Sequence, residues 1–135
     1  MNLEQAIRDR WASFDTLTTL VPLARFWTGA APPSSETPFV VLDVARIEPR
    51  TATSSGRLIQ HVSLRLSVVA ASHGVAQAVA REIENRFERA VFALDEGEVI
   101  DMRRERLEQK LADDGVWTIV SDYLAVTEHF PQQGD

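Results

Sequence analysis

Side chains that could hold a metal ion or act as a nucleophile are few in this sequence. It contains no cysteine, which excludes disulfides, thiolate nucleophiles, iron–sulfur clusters and cysteine-ligated zinc. Its histidines are His61, His73 and His129, and none of them stands in an HxH or HExxH spacing. A zinc site would therefore have to gather its ligands from three distant elements.

Clustered carboxylates occur in two short segments, residues 95–98 and residues 113–115. Neither segment has the register of an EF-hand loop or its closing bidentate glutamate. Both are typical of solvated turns between strands. Nucleophile-elbow, dinucleotide-binding and phosphate-loop glycine motifs are also absent from the sequence. We therefore predict no catalytic residue, no metal ligand and no cofactor, and interpret the protein as a non-enzyme.

The remaining polar chemistry is that of the arginine side chains, which can bind an acidic protein surface or a phosphate group. Arg103, Arg104 and Arg106 form a short basic stretch next to glutamates. On an edge strand this pattern is typical of a solvated ladder or a salt-bridged contact between subunits, and a nucleic-acid contact is the alternative. The whole chain carries a formal charge of −6, the wrong sign for holding nucleic acid through its phosphates alone. The sequence thus favours a protein contact here.

Helical spacing predicts two helices that must support these residues. The apolar positions of the first are Leu3, Ala6, Ile7, Trp11 and Phe14. A short second turn follows and ends at Pro22, because the residue before a proline is pushed out of helical geometry. Ser72 is a favourable N-cap for the second long helix. Its predicted apolar face consists of Val75, Val79, Ile83 and Phe87.

Runs of apolar and β-branched residues predict the strands, at residues 25–28, 39–47, 61–68, 99–107 and 116–127. The clearest alternation is that of Val62, Leu64, Leu66 and Val68. The polar segment at about 48–58 predicts a long hairpin arm with a mobile tip, and residues 131–135 a flexible tail. The expected fold is a single α+β domain over residues 1–135. Its mostly antiparallel sheet has four to five strands, with two helices packed on one face.

The order and local pattern of several segments resemble one known family. These segments are a first helical region ending in Leu17-x-x-Leu20-Val21, a connector closing on Thr37-Pro38-Phe39-Val40, the strand Val62-x-Leu64-x-Leu66-x-Val68, an alanine-rich helix at 75–87, and Asp113-Asp114-Gly115-Val116-Trp117 followed by Tyr123. In this order, over nearly the whole chain, the sequence is similar to the tail terminator and tail-completion proteins of long-tailed bacteriophages and prophages.

The resemblance implies a structural virion protein with no catalytic motif. Such a subunit forms a ring, usually of six, that caps the tail tube and joins it to the head connector. Its partners would be copies of itself, the tail tube protein and a head–tail connector or stopper protein, with no membrane. DNA would pass through the lumen without specific binding, and the subunit would be made in the bacterial host cytoplasm. Two alternatives stay open: a head-to-tail neck component, and a small ligand-binding or catalytic α+β domain.

A closed ring requires two different surfaces on each subunit, because its interface is heterologous. We expect the polar arm, the basic strand and an aromatic residue beside the proline-rich connector to supply them. The candidate interface residues are Trp27, Arg50, Thr51, Thr53, Ser54, Ser55, Arg57, Arg103, Arg104 and Arg106.

Overall fold

The structure, a computed structural model, describes residues 3–52 and 56–130, and for residues 50–52 the backbone alone. Its helices are α1 (Leu3–Ala12), α2 (Asp15–Leu20) and α3 (His73–Phe87), with a 3-10 turn at Leu23–Arg25. Its strands are β1 (Phe26–Thr28), β2 (Phe39–Ala52), β3 (Leu58–Ala70), β4 (Phe92–Leu94), β5 (Gly97–Leu111) and β6 (Trp117–His129). None of the described helices is long and apolar enough to cross a bilayer.

The strands form one six-stranded sheet in the order β1-β2-β3-β6-β5-β4. Strand β1 runs parallel to β2, and every other pair is antiparallel. The predicted α+β fold with a mostly antiparallel sheet is confirmed, but the sheet has more strands than expected. The strand that was missed, β4, has three residues, too few to show alternation, and it pairs with Gly97–Val99.

The predicted hairpin arm is largely a continuation of the sheet. Glu48–Ala52 of β2 pairs with the first residues of β3, and Leu58 of β3 in turn lies opposite His129 of β6. The base of the hairpin is therefore paired with the rest of the sheet through β6 and does not extend away from it. Residues 53–55 of the expected arm and the expected flexible tail at residues 131–135 lie outside the described residues.

The helices pack on one face of the sheet, over side chains that alternate along the strands. The predicted inward set Val62, Leu64, Leu66 and Val68 is buried, as are Leu3, Ile7 and Trp11 of α1. The predicted face of α3 is wrong at Val75, which is 40% exposed, whereas Ala76 and Ala80 are buried. Small alanine side chains let α3 approach the strands closely, so the buried face turns toward them and away from Val75.

Two polar contacts fix α1 in the core. The indole Nε1 of Trp11 donates to the carbonyl of Val21 at 3.0 Å. The guanidinium of Arg10 donates to the carbonyl of Arg86 at 2.9 Å and lies 5.7 Å from the ring centre of Phe87. Partial burial, with the neighbouring Arg86 charge, lowers the pKa of Arg10. Because the carbonyls at the end of α3 lack helical partners, this arginine satisfies one of them and anchors α1 to α3.

Tyr123 makes the chain's stability sensitive to alkali. Its hydroxyl is buried without a hydrogen-bond partner in the described residues, and burial raises its pKa well above the ordinary value. The folded state therefore favours the neutral phenol. This contribution is complete below the unfolded pKa of about 10 and is lost as the pH rises above it.

We expect Tyr123→Phe to be as stable as the wild type or more stable by about 1 kcal/mol at pH 7, because the hydroxyl makes no bond that is lost. Its alkaline unfolding should begin at higher pH. Since Tyr123 is the only tyrosine in the chain, tyrosinate absorbance reports it alone. Ionisation near pH 10 in the still folded protein would contradict the burial argument.

Candidate assembly surfaces

The sheet face opposite the helices carries a row of charges across its four long strands. Asp43 of β2, Arg65 of β3, Asp122 of β6 and Arg106 of β5 lie opposite one another in register. Arg65 donates to both carboxylate oxygens of Asp122, at 2.8 and 3.3 Å, and this bond raises the pKa of Arg65. The signs alternate along the row, so neighbouring strands attract one another.

A cavity of about 290 Å³ lies over this charged row. Its lining residues are Asp43, Ala45, Ser63, Leu64, Arg65, Glu105, Asp122 and Tyr123. Among these lining residues, the carboxylate of Asp122 is bound by Arg65, and the two form a structural ion pair. No histidine lines the cavity, and no group of three His, Asp or Glu side chains in the described ranges is placed to hold a metal ion.

A groove of about 220 Å³ separates α3 from β5 on the opposite face. Its lining residues are Gln77, Ala80, Arg81, Glu84, Arg104, Leu107, Gln109 and Ile119. Arg104 forms an ion pair with Glu84 across the groove. Leu107 stays 40% exposed because α3 does not extend over this half of β5. The groove therefore combines an apolar floor with a charged rim.

The sheet ends on both sides in an edge that is only partly covered. On one side β1 pairs with Val40–Leu42, and the rest of β2 has no further strand beside it among the described residues. On the other side β4 pairs with Gly97–Val99 of β5. Beyond β4, the two residues that follow α3 cover β5. The amide of Arg89 donates to the carbonyl of Met102 at 2.5 Å, and the amide of Arg104 donates to the carboxylate of Glu88 at 2.7 Å. Residues 105–111 have no strand on their outer side among the described residues, and they form an open edge.

The three arginines expected to form one basic surface are divided between two faces. Arg104 lies opposite the buried Tyr123, on the helix side. Arg103 lies opposite Leu124, on the other side, by strand alternation. Arg106 lies opposite Asp122 on that same side because a bulge interrupts the register between Arg104 and Arg106. All three are ion-paired within the chain, with Glu84, Asp101 and Glu108. Their charge is thus largely balanced locally.

The other candidate residues lie in β1 and around the hairpin. Trp27 is half-buried, and its indole nitrogen is buried without a partner among the described residues. Arg57 binds Glu128 of its own chain at 2.7 Å and lies 5.2 Å from the ring centre of Phe130. Arg50 and Thr51 belong to β2, where only the backbone is described. Thr53, Ser54 and Ser55 lie outside the described residues.

Two apolar side chains on the open edges escaped the sequence reasoning. Ile47 of β2 is 45% exposed and Leu111 of β5 is 57% exposed. Ile47 ends the predicted strand at residues 39–47, and its place in the alternation resembles that of a core residue. A signal that separates it from a core residue is Pro49, two residues further along the strand, since proline within a strand is confined to edges.

The histidines have structural contacts. His73 Nε2 lies 2.7 Å from Gln109 Oε1, and its ring centre lies 4.3 Å from that of Trp117. His129 Nε2 lies 3.1 Å from the hydroxyl of Thr127. The contacts of His73 join the start of α3 to β5 and β6. The contact of His129 lies within the end of β6. Thr127 is fully buried, so its hydroxyl beside His129 is closed to a substrate.

Comparisons with known proteins identify the family of this chain. A family model described as tail completion protein gp17 matches residues 5–128. A solved chain from the virion of a native gene transfer agent particle has a similar fold, with a TM-score of 0.72 at 17% identity over 93% of this chain and 94% of that chain. Comparison with curated proteins gives no match. The chain belongs to the tail completion protein gp17 family and is a structural, non-enzymatic component of a phage-like particle.

Proposed function

We propose that the protein is a tail terminator subunit. Copies of it form a ring, of six in the simplest case, that caps the head-proximal end of the tail tube. The outer side of this ring binds the head–tail connector or stopper protein. The family match over residues 5–128 carries this proposal, since completing a tail requires a component that ends the tube and offers a surface to the head.

The open edges of the sheet support ring formation. Each subunit has one edge on β2 and a different edge on β5, at opposite sides of the same sheet. Two different, separated surfaces are what a heterologous ring interface requires, whereas a twofold dimer uses one surface twice. Trp27 and the hairpin residues Arg50, Thr51, Thr53, Ser54, Ser55 and Arg57 remain candidate contacts to the tube or to neighbouring copies.

The charge of the subunit supports a lumen through which DNA passes freely. Each copy carries a formal charge of −6, and the arginines of β5 are balanced by carboxylates. Repulsion of phosphates by a ring of acidic subunits opposes specific DNA binding.

Loss of the gene tests the proposal. In a strain without it, we expect DNA-filled heads and free tails instead of joined particles, and purified wild-type protein added to the mixed extract should restore joining. The protein should bind isolated tails before it binds heads. Binding to tail-less heads but not to tails would instead identify a neck component. Normal numbers of joined particles without the gene would contradict both assignments.

A further inference from the structure

We propose that the ring closes by β-sheet pairing between copies: the open edge of β2 in one subunit pairs antiparallel with the open edge of β5 in the next. This inference rests on the proposed ring function and specifies its interface. The proposed register places Asp43 opposite Lys110, Val44 opposite Gln109, Arg46 opposite Glu108, Ile47 opposite Leu107, and Glu48 opposite Arg106.

Strand direction permits this pairing without reorientation. The four long strands β2, β3, β6 and β5 are joined by three antiparallel pairings, so β2 and β5 run in opposite directions. A rotation about an axis along the strands keeps the direction of every strand. The β5 edge of one copy therefore meets the β2 edge of the next in antiparallel orientation, and the sheet continues across the interface.

The register also keeps every side chain on its correct face. Ile47 lies opposite the buried Val62, and Leu107 lies opposite the buried Ser121, so both belong to the helix side. Arg46 and Glu108 lie opposite Ser63 and Val120, on the other side of the sheet. A shift by one residue would turn each of these side chains against the wrong face.

A bulge in β2 allows the same alignment on both sides of it. The pairing of β2 with β3 skips Ala45, between Val44 and Arg46. The residues before the bulge, Asp43 and Val44, then align with Lys110 and Gln109. The residues after the bulge, from Arg46 to Glu48, align with Glu108 to Arg106. No residue of β5 has to be skipped in this stretch, because the bulge of β5 lies between Arg104 and Arg106.

Charge complementarity selects a second copy as the occupant. Each edge carries one arginine and one glutamate two residues apart and ion-paired with each other, Arg46 with Glu48 and Arg106 with Glu108. Antiparallel pairing places each arginine opposite the glutamate of the other copy, and Asp43 opposite Lys110. Charged edges ordinarily prevent pairing with other chains, whereas opposite charges across the strands stabilise it.

The apolar residues of the two edges meet in the same arrangement. Ile47 is 45% exposed and Leu107 is 40% exposed in the single subunit. Leu107 lines the groove between α3 and β5, with Ala80 and Ile119 among the other lining residues. Ile47 of the next copy would enter beside Leu107 and cover this floor. The interface thus removes two exposed aliphatic side chains from water.

Engineered disulfides test the register, because the natural chain has no cysteine. We expect Ile47→Cys/Leu107→Cys to form covalent chains of subunits on oxidation, both in purified rings and in particles. The matched control, Ile47→Cys/Leu111→Cys, displaces one cysteine by four residues on the same strand and face, about 13 Å. It should stay largely uncrosslinked. Equal crosslinking of both variants, or none in particles that contain the protein, would overturn the proposed register.

A charge exchange tests the pairing independently and leaves the net charge unchanged. Arg46→Glu/Glu48→Arg should lower the ring fraction in sedimentation about tenfold or more, and adding Arg106→Glu/Glu108→Arg should restore it. Arg25→Glu/Glu36→Arg exchanges an ion pair outside the register and should leave the ring fraction unchanged. Rings that resist the first exchange would overturn the edge pairing but leave the terminator role intact. Normal particles without the gene would instead refute that role.

Discussion

Replacing Leu66 by aspartate is expected to unfold the protein, with a loss of about 4 kcal/mol or more in the free energy of unfolding. Leu66 is fully buried in the centre of the sheet, between Leu42 of β2 and Ser121 of β6. A carboxylate there would lose its hydration, and neither strand neighbour, Leu42 or Ser121, carries a positive charge to pair with it. Denaturant unfolding monitored by circular dichroism measures the effect.

The matched substitution is Ser67→Asp, one residue further along β3. Ser67 lies on the face opposite the helices, between Val41 and Val120, and is half-buried. Its new carboxylate keeps access to water, so a loss of about 1 kcal/mol or less is expected. A larger loss for Ser67→Asp than for Leu66→Asp would mean that the two faces of β3 are assigned the wrong way round.

Replacing Gly97 by alanine should be nearly as damaging, with a loss of about 3 kcal/mol. A Cβ atom at this position would lie 2.0 Å from the carbonyl oxygen of Glu128 in the neighbouring strand β6. The contact is with backbone, which cannot move aside like a flexible side chain. Strand β5 would have to separate from β6 at its first residue, where β4 also joins the sheet.

Gly74 provides the control for this substitution. It lies in the first turn of α3, and a Cβ atom there would have no neighbour within 4 Å. Because alanine favours helix over glycine, Gly74→Ala should be neutral or stabilising by up to about 1 kcal/mol. Thermal unfolding of both variants separates the effects. Equal losses of stability for Gly74→Ala and Gly97→Ala would show that the nearby carbonyl of Glu128 does not exclude a side chain at residue 97.

Local signals in the sequence were sufficient for most elements. The predicted N-cap of α3 is confirmed, since the hydroxyl of Ser72 accepts from the amide of Val75 at 3.2 Å. The alternation of Val62 to Val68 placed β3 correctly, and the turn at residues 113–115 joins β5 to β6 as predicted. These features depend on neighbours in the chain, which a single sequence contains.

The assembly surface was harder to predict because it depends on strand register. Strand alternation alone puts Arg103 and Arg104 on opposite faces, but Arg106 shares the face of Arg103, and not that of Arg104, because of one bulge, which no residue type announces. Ile47 resembles a core residue in sequence and is exposed only because β1 ends after pairing with Leu42. A strand lies at an edge when no other strand pairs with it on one side. Single-sequence patterns carry little information about such long-range pairing.

The position of the protein in the assembled particle tests the central claim most directly. Cryo-electron microscopy of purified particles should show one ring of this fold between the tail tube and the head connector, with the sheet continuous from subunit to subunit. Particles that carry a different protein at that position, or that hold this chain at the far end of the tail, would contradict the account.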